Sequence, residues 1–103
     1  MPKKSQDPYL KKQFQIAAKA YTQAQQTNEM EKKIDPKRFE HFKQEFAKRI
    51  EDYKTTYETL KDALETGKTQ RDIAKKMAKH SKAAGRRSRK FERAMQQYDY
   101  SNE

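Results

Sequence analysis

The residues in this chain best supplied for chemistry are eleven bases between Lys68 and Arg93, and their chemistry is the binding of anions. They are Lys68, Arg71, Lys75, Lys76, Lys79, Lys82, Arg86, Arg87, Arg89, Lys90 and Arg93, set against only Asp72 and Glu92. This segment holds +9 of the chain's net +10, so the other 77 residues are close to neutral. A chain that is basic throughout can simply be keeping itself soluble. One that is neutral except in a single segment presents that segment to an anionic partner.

Spacing sharpens the signal. At 100° per residue, Ile73, Met77, His80, Ala84, Phe91, Met95 and Tyr98 fall on one narrow stripe of a helix, and Arg87 occupies the place the stripe skips. Lys75, Lys79, Lys82, Arg86, Arg89 and Arg93 recur at steps of three and four on the opposite side, with Lys68 and Arg71 extending the line. Lys75 to Arg93 covers about 27 Å at helical rise, a little less than the roughly 34 Å of one duplex turn. A solvated face of an ordinary amphipathic helix would carry acids to pair with these bases at i,i+4. This face has almost none, so its like charges repel until something anionic meets them.

The expected function is therefore non-enzymatic nucleic-acid binding through phosphates, largely independent of base sequence, in an accessory or assembly role. Its contacts would be Lys68, Arg71, Lys75, Lys79, Lys82, Arg86, Arg87, Arg89, Lys90 and Arg93. Arg86, Arg87 and Arg89 are the residues expected to bridge two phosphate oxygens each. DNA and RNA stay open at this point. The alternative is a structural or adaptor subunit with the basic face on an acidic protein surface, and with its long second helix docked on a protein partner or a second copy. Binding to an anionic membrane surface fits less well. The apolar stripe is interrupted by His80, Ala84 and Arg87, and there is no Trp to anchor at an interface.

Other chemistry is poorly supplied. Without cysteine there is no disulfide, thiol nucleophile or Cys-based zinc site. His41 and His80 fall on different helices, with no metal-binding spacing around either, and both read as packing residues. Two glycines cannot build a phosphate-cradling loop. No catalytic residue, metal or cofactor is expected. No apolar run approaches 18 residues, so no membrane span is expected. Met1 to Asp7 lacks the apolar stretch of a secretory signal, and the expected location is cytoplasmic. Thr69 to Met77 follows the first helix of a helix-turn-helix for nine residues. The turn then carries Ala78 and Lys79, and Gly85 comes too late, so no family is read from it.

Positioning the basic stripe takes helices, and core material for them is scarce. The chain has three Leu, four Ile, five Phe and no Val, a composition that by itself suits disorder. Periodicity says otherwise. Asp7-Pro8 is a helix start, with the carboxylate placed to cap free amides and Pro at the first position. Leu10, Phe14, Ala17, Tyr21 and Ala24 follow in register, and the pattern fades through Gln25 to Asn28, which leaves the end of this helix open between Thr27 and Lys33. Asp35-Pro36 repeats the start signal, followed by Phe39, Phe42, Phe46, Ile50, Tyr53, Tyr57, Leu60 and Leu64 in one seam. Gly67 marks the end of that helix. Thr69 and Asp72 form a capping box for a third helix, whose weak point is Ala83-Ala84-Gly85.

The expected fold is all-α: three long helices over about 8–30, 36–66 and 69–98, joined by short turns into an antiparallel up-down-up bundle, coiled-coil-like with a thin core. Residues 7–98 would form one domain, residues 1–6 would be disordered and residues 99–103 would fray. Tyr98 reads as core. Tyr9 and Tyr100, near helix ends, are aromatic groups of the kind that stack on bases.

Overall fold

The computed structural model describes residues 6–102; the expected disorder at residues 1–5 and fraying at Glu103 lie outside that range. The protein is all-α. Among the described residues there are four helices, α1 (Pro8–Ile34), α2 (Pro36–His41), α3 (Lys43–Glu65) and α4 (Gln70–Ser101), and no strand. They form an elongated body of 56 × 24 × 18 Å.

α1 starts at the sequence's first cap. Asp7 Oδ1 accepts the Tyr9 amide at 3.0 Å and the Leu10 amide at 3.3 Å. The helix runs on to Ile34, past the point where its apolar pattern fades. Polar contacts take over there: Asn28 Nδ2 donates to the Phe46 carbonyl at 3.2 Å, and Glu31 meets Arg38 at 2.9 Å.

The single helix expected over 36–66 is broken at Phe42, where φ is −106° and ψ is 21°. The bonds flanking the break survive, Phe42 N–H to the Arg38 carbonyl at 3.1 Å and Phe46 N–H to the Phe42 carbonyl at 2.9 Å, so it is a local bend and no loop. Aromatic rings pack around it. Phe39 stacks on Phe46 at 5.0 Å, Phe42 and Phe46 both meet Phe91, at 5.5 and 4.9 Å, and Phe42 also meets Tyr98 at 5.4 Å.

α3 lies between α1 and α4. Leu10 and Ala17 of α1 and Ile73 of α4 pack with Leu60 and Ala63 near the end of α3, bordered by Phe14, Leu64 and Met77. At the start of α3, Phe42, Phe46 and Phe91 form a second cluster with Phe39, Ala94, Met95 and Tyr98. The end of α3 thus packs on the starts of α1 and α4, and its start on the later part of α4. The core is thus in two pieces, one toward each end of α3.

The α3–α4 turn is built by Gly67, whose φ of 74° is the left-handed conformation open to glycine without strain. It lets Lys68 N–H reach the Ala63 carbonyl at 2.9 Å, satisfying an orphan acceptor of α3. Asp72 then accepts the Thr69 amide at 2.8 Å, and Asp7 Oδ2 accepts the Gln70 amide at 3.0 Å. One carboxylate therefore serves the first turns of α1 and α4. At the far end α4 continues to Ser101, beyond the expected limit of 98. There Arg38 meets Asp99 at 2.8 Å while also binding Glu31.

Phe46 is 1% exposed. Phe46→Ala should cost about 3–5 kcal/mol and lower the melting temperature by at least about 12 °C. An unchanged melting curve would mean that this seam is not the core.

The Gln70 amide holds the Asp7 carboxyl below its ordinary 3.8; desolvation opposes it next in size, and the Leu10 and Tyr9 amides add to the lowering. A folded-state value below the unfolded one stabilises fully above about 3.8 and stops doing so as pH falls through the folded value. Asp7→Asn should therefore melt below the parent at neutral pH, and the gap should close on acidification below 3.8. Thermal melts of both proteins across that range check this; a gap independent of pH would contradict it.

Candidate nucleic-acid interface

Which side of α4 faces outward is decided by what its inner edge meets on α3. Ile73 and Phe91 are buried, one in each core cluster. Between them the inner edge is polar. Arg87 donates from Nε to Asp52 Oδ2 at 2.9 Å and from Nη2 to Asp52 Oδ1 at 2.7 Å, a two-pronged carboxylate pair. His80 Nε2 lies 3.0 Å from the Asp52 main-chain carbonyl. A carbonyl only accepts, so Nε2 carries the proton in this contact. Asp52 keeps 12% of its side chain exposed and Arg87 keeps 40%. Hydrogen bonding to Asp52 raises the Arg87 guanidinium above its ordinary range, which leaves it charged at any working pH.

Of the ten residues picked out for phosphate contact, Arg87 is thus turned inward and its fork is occupied. It held the skipped place in the apolar stripe, which was the signal for this. The other nine, Lys68, Arg71, Lys75, Lys79, Lys82, Arg86, Arg89, Lys90 and Arg93, are all exposed. Lys68 sits in the turn before α4 and Arg71 in its first turn. Among the described residues none of the nine forms an ion pair. The pairs that do form join Arg38, Lys43, Lys48, Lys54 and Arg87 to acids.

A feature that sequence reasoning missed lies beside this edge. Between α3 and α4 there is a cleft of about 540 Å³, with Phe42, Arg49, Asp52 and Tyr53 on one wall and Ala84, Gly85, Ser88 and Phe91 on the other. The signal was present as the small residues Ser81, Ala84, Gly85 and Ser88, too short to fill the space before α3. α4 passes through Gly85 without a break. A Cβ there would stand 3.3 Å from Arg89 Nη1, so the Arg89 side chain lies over this glycine. Arg49 sits with its guanidinium carbon 4.8 Å from the centre of the Phe91 ring, a cation–π contact.

His41 is exposed, with its ring 4.7 Å from Tyr98 and 4.8 Å from Phe42. Tyr98 is half-buried, whereas Tyr9 and Tyr100 stand exposed. Among the described residues no three His, Cys, Asp or Glu gather as a metal site would need, and no helix is long and apolar enough to cross a membrane. No protein-family model matches the chain, and comparison with characterised proteins and with solved structures gave no match.

Removing either half of the Arg87–Asp52 pair should not cost the same. Asp52 is nearly enclosed, while Arg87 can swing into water. Arg87→Met should lower the melting temperature more than Asp52→Ser does, with both variants still helical by circular dichroism. Equal losses would mean that the carboxylate is better solvated than its enclosure implies.

Proposed function

We propose that this protein is a non-enzymatic nucleic-acid-binding factor that holds phosphates along the outer edge of α4. One observation carries the proposal: eight exposed bases on one side of α4, and Lys68 in the turn before it, have no acid paired to any of them among the described residues. The opposite edge is fixed in both core clusters, so the charge is held in place on a rigid rod of about 48 Å. Lys75, Lys79, Lys82, Arg86, Arg89 and Arg93 form the line, with Lys68 and Arg71 at one end and Lys90 on its flank. Phosphate contacts position a strand without reading it, so base preference is slight. We read α2 and α3 as one bent arm of an up-down-up bundle whose task is to hold α4 straight. A cytoplasmic setting, where nucleic acid is at hand, fits this reading.

A second reading, a structural or adaptor subunit, draws on α1. Ile16, Met30 and Ile34 leave 52%, 63% and 74% of their surface exposed, which suits contact with another protein. The second helix, which the sequence marks as the docking face, spends its seam against α1 and α4. A protein partner or second copy would meet α1 instead.

The deciding experiment reverses charge on the line. Lys82→Glu, Arg86→Glu and Arg89→Glu together leave every core contact in place. They should abolish nucleic-acid binding measured by fluorescence anisotropy, while the melting temperature holds. Lys11→Glu, Lys12→Glu and Lys19→Glu on α1 change net charge equally and should do much less. For the unaltered protein, neutralising about five phosphates gives a log–log salt slope of roughly −4 to −5 on duplex DNA. Equal loss from both triples would mean that attraction follows net charge alone. Full binding by the α4 triple, with loss of a protein partner, would establish the adaptor reading.

A further inference from the structure

We infer that the cleft between α3 and α4 receives unstacked bases of a single strand of DNA or RNA whose phosphates lie on the basic edge of α4. This rests on the proposed phosphate-binding edge and adds what that edge lacks, a reason to favour one form of nucleic acid.

The two features share a border. Lys90 belongs to the flank of the basic edge and also lines the cleft. Arg89, in the middle of the edge, lies across Gly85, which forms part of the cleft wall. A strand held by Arg89 and Lys90 therefore reaches the border of the cleft. A Cβ at Gly85 would meet only the end of the Arg89 side chain, which would have to give by a few tenths of an ångström.

The interior suits flat aromatic groups. Phe42 and Phe91 supply an apolar floor at 6% exposure each, and Tyr53, 41% exposed, offers a ring at the rim. Arg49 already lies on the Phe91 ring and brings a planar cation from the facing wall. Aromatic rings and guanidinium planes are the surfaces on which unpaired bases stack, with little dependence on base identity. The volume of about 540 Å³ lies within the range of roughly 300–1,000 Å³ usual for small-molecule sites, so it has room for a base. A duplex keeps its bases in its own stack and reaches only the outer edge.

Charge selects the occupant as well. Arg49 and Lys90 line the cleft with Glu45, while Asp52 is engaged by Arg87 and Lys48 pairs with Glu51 at 3.5 Å and Asp52 at 4.0 Å. The lining is left net positive, which draws a polyanion and repels a second copy of a chain carrying +10.

The chain has no tryptophan, so Tyr53→Trp places a unique fluorophore at the rim and keeps an aromatic surface there. Adding oligo(dT) or oligo(U) of about 15 nucleotides, near the upper end of the site sizes such proteins cover, should quench it; a duplex of equal length should bind without quenching. Ser88→Leu fills the cleft without touching a charge. It should weaken single-strand binding about tenfold or more and leave duplex binding unchanged. Tyr53→Ala, at an exposed position that cannot unfold the core, should weaken single-strand binding in the same direction. If single strands bound all three variants like the parent, with the tryptophan unquenched, the cleft would hold no bases and the phosphate edge would stand alone. If neither single strand nor duplex bound the parent protein, the proposed function would fall, and this inference with it. Quenching that rose with protein concentration, and not with added strand, would put a second copy in the cleft and overturn the inference.

Discussion

The rotation of α4 about its own axis is the constraint from which the rest of the molecule follows. Apolar contacts hold this helix in two places, at Ile73 with Met77 and at Phe91 with Ala94, Met95 and Tyr98. Between them stand His80 and Arg87, which cannot be packed against hydrocarbon without partners. Asp52 provides for both: its carboxylate takes the Arg87 fork and its carbonyl takes the His80 proton. The geometry of a guanidinium–carboxylate fork is directional in a way that hydrophobic contact is not. With that edge turned in, the line from Lys75 to Arg93 has nowhere to lie but outside.

Scarcity of core explains why polar joints matter so much here. A chain with this few large apolar residues fills two small clusters instead of one continuous core, and the body becomes long and thin. Single charged or polar side chains then span helices at three levels. Asp7 joins the starts of α1 and α4, Asp52 joins the middles of α3 and α4, and Arg38 joins α1, α2 and the end of α4. Such contacts contribute little free energy where they are exposed. Their contribution is register, because each can be satisfied in only one relative placement of the helices.

The uneven use of acids gives the molecule its polarity. Most carboxylates are placed on α1 to α3, where several meet a lysine or arginine, and the outer edge of α4 is left with bases alone. Close like charges on a helix disfavour it, so the free protein carries an electrostatic cost that a polyanion relieves. The cleft adds a second kind of surface beside the first, apolar and aromatic where the edge is charged. Together they suit a ligand that is itself a charged backbone with flat apolar groups attached.

The sequence by itself determined the class of fold, the helix starts at Asp7, Asp35 and Thr69, the glycine turn at Gly67, and the outward placement of nine of the ten bases it singled out. Each of these is settled within a turn or two of chain, by a cap, a left-handed residue or a period of 3.6. The tertiary structure decided what depends on residues far apart in sequence. Phe42 at the bend packs on Phe91 and Tyr98, the last turn of α4 is held by Arg38, and Arg87 points inward because Asp52 is there to meet it. The cleft belongs to the same class, since it exists only where the small residues of α4 happen to face α3. Local rules state which way a side chain can point from its own helix. What it then meets depends on how the helices are laid against each other, and that is set by all their contacts at once.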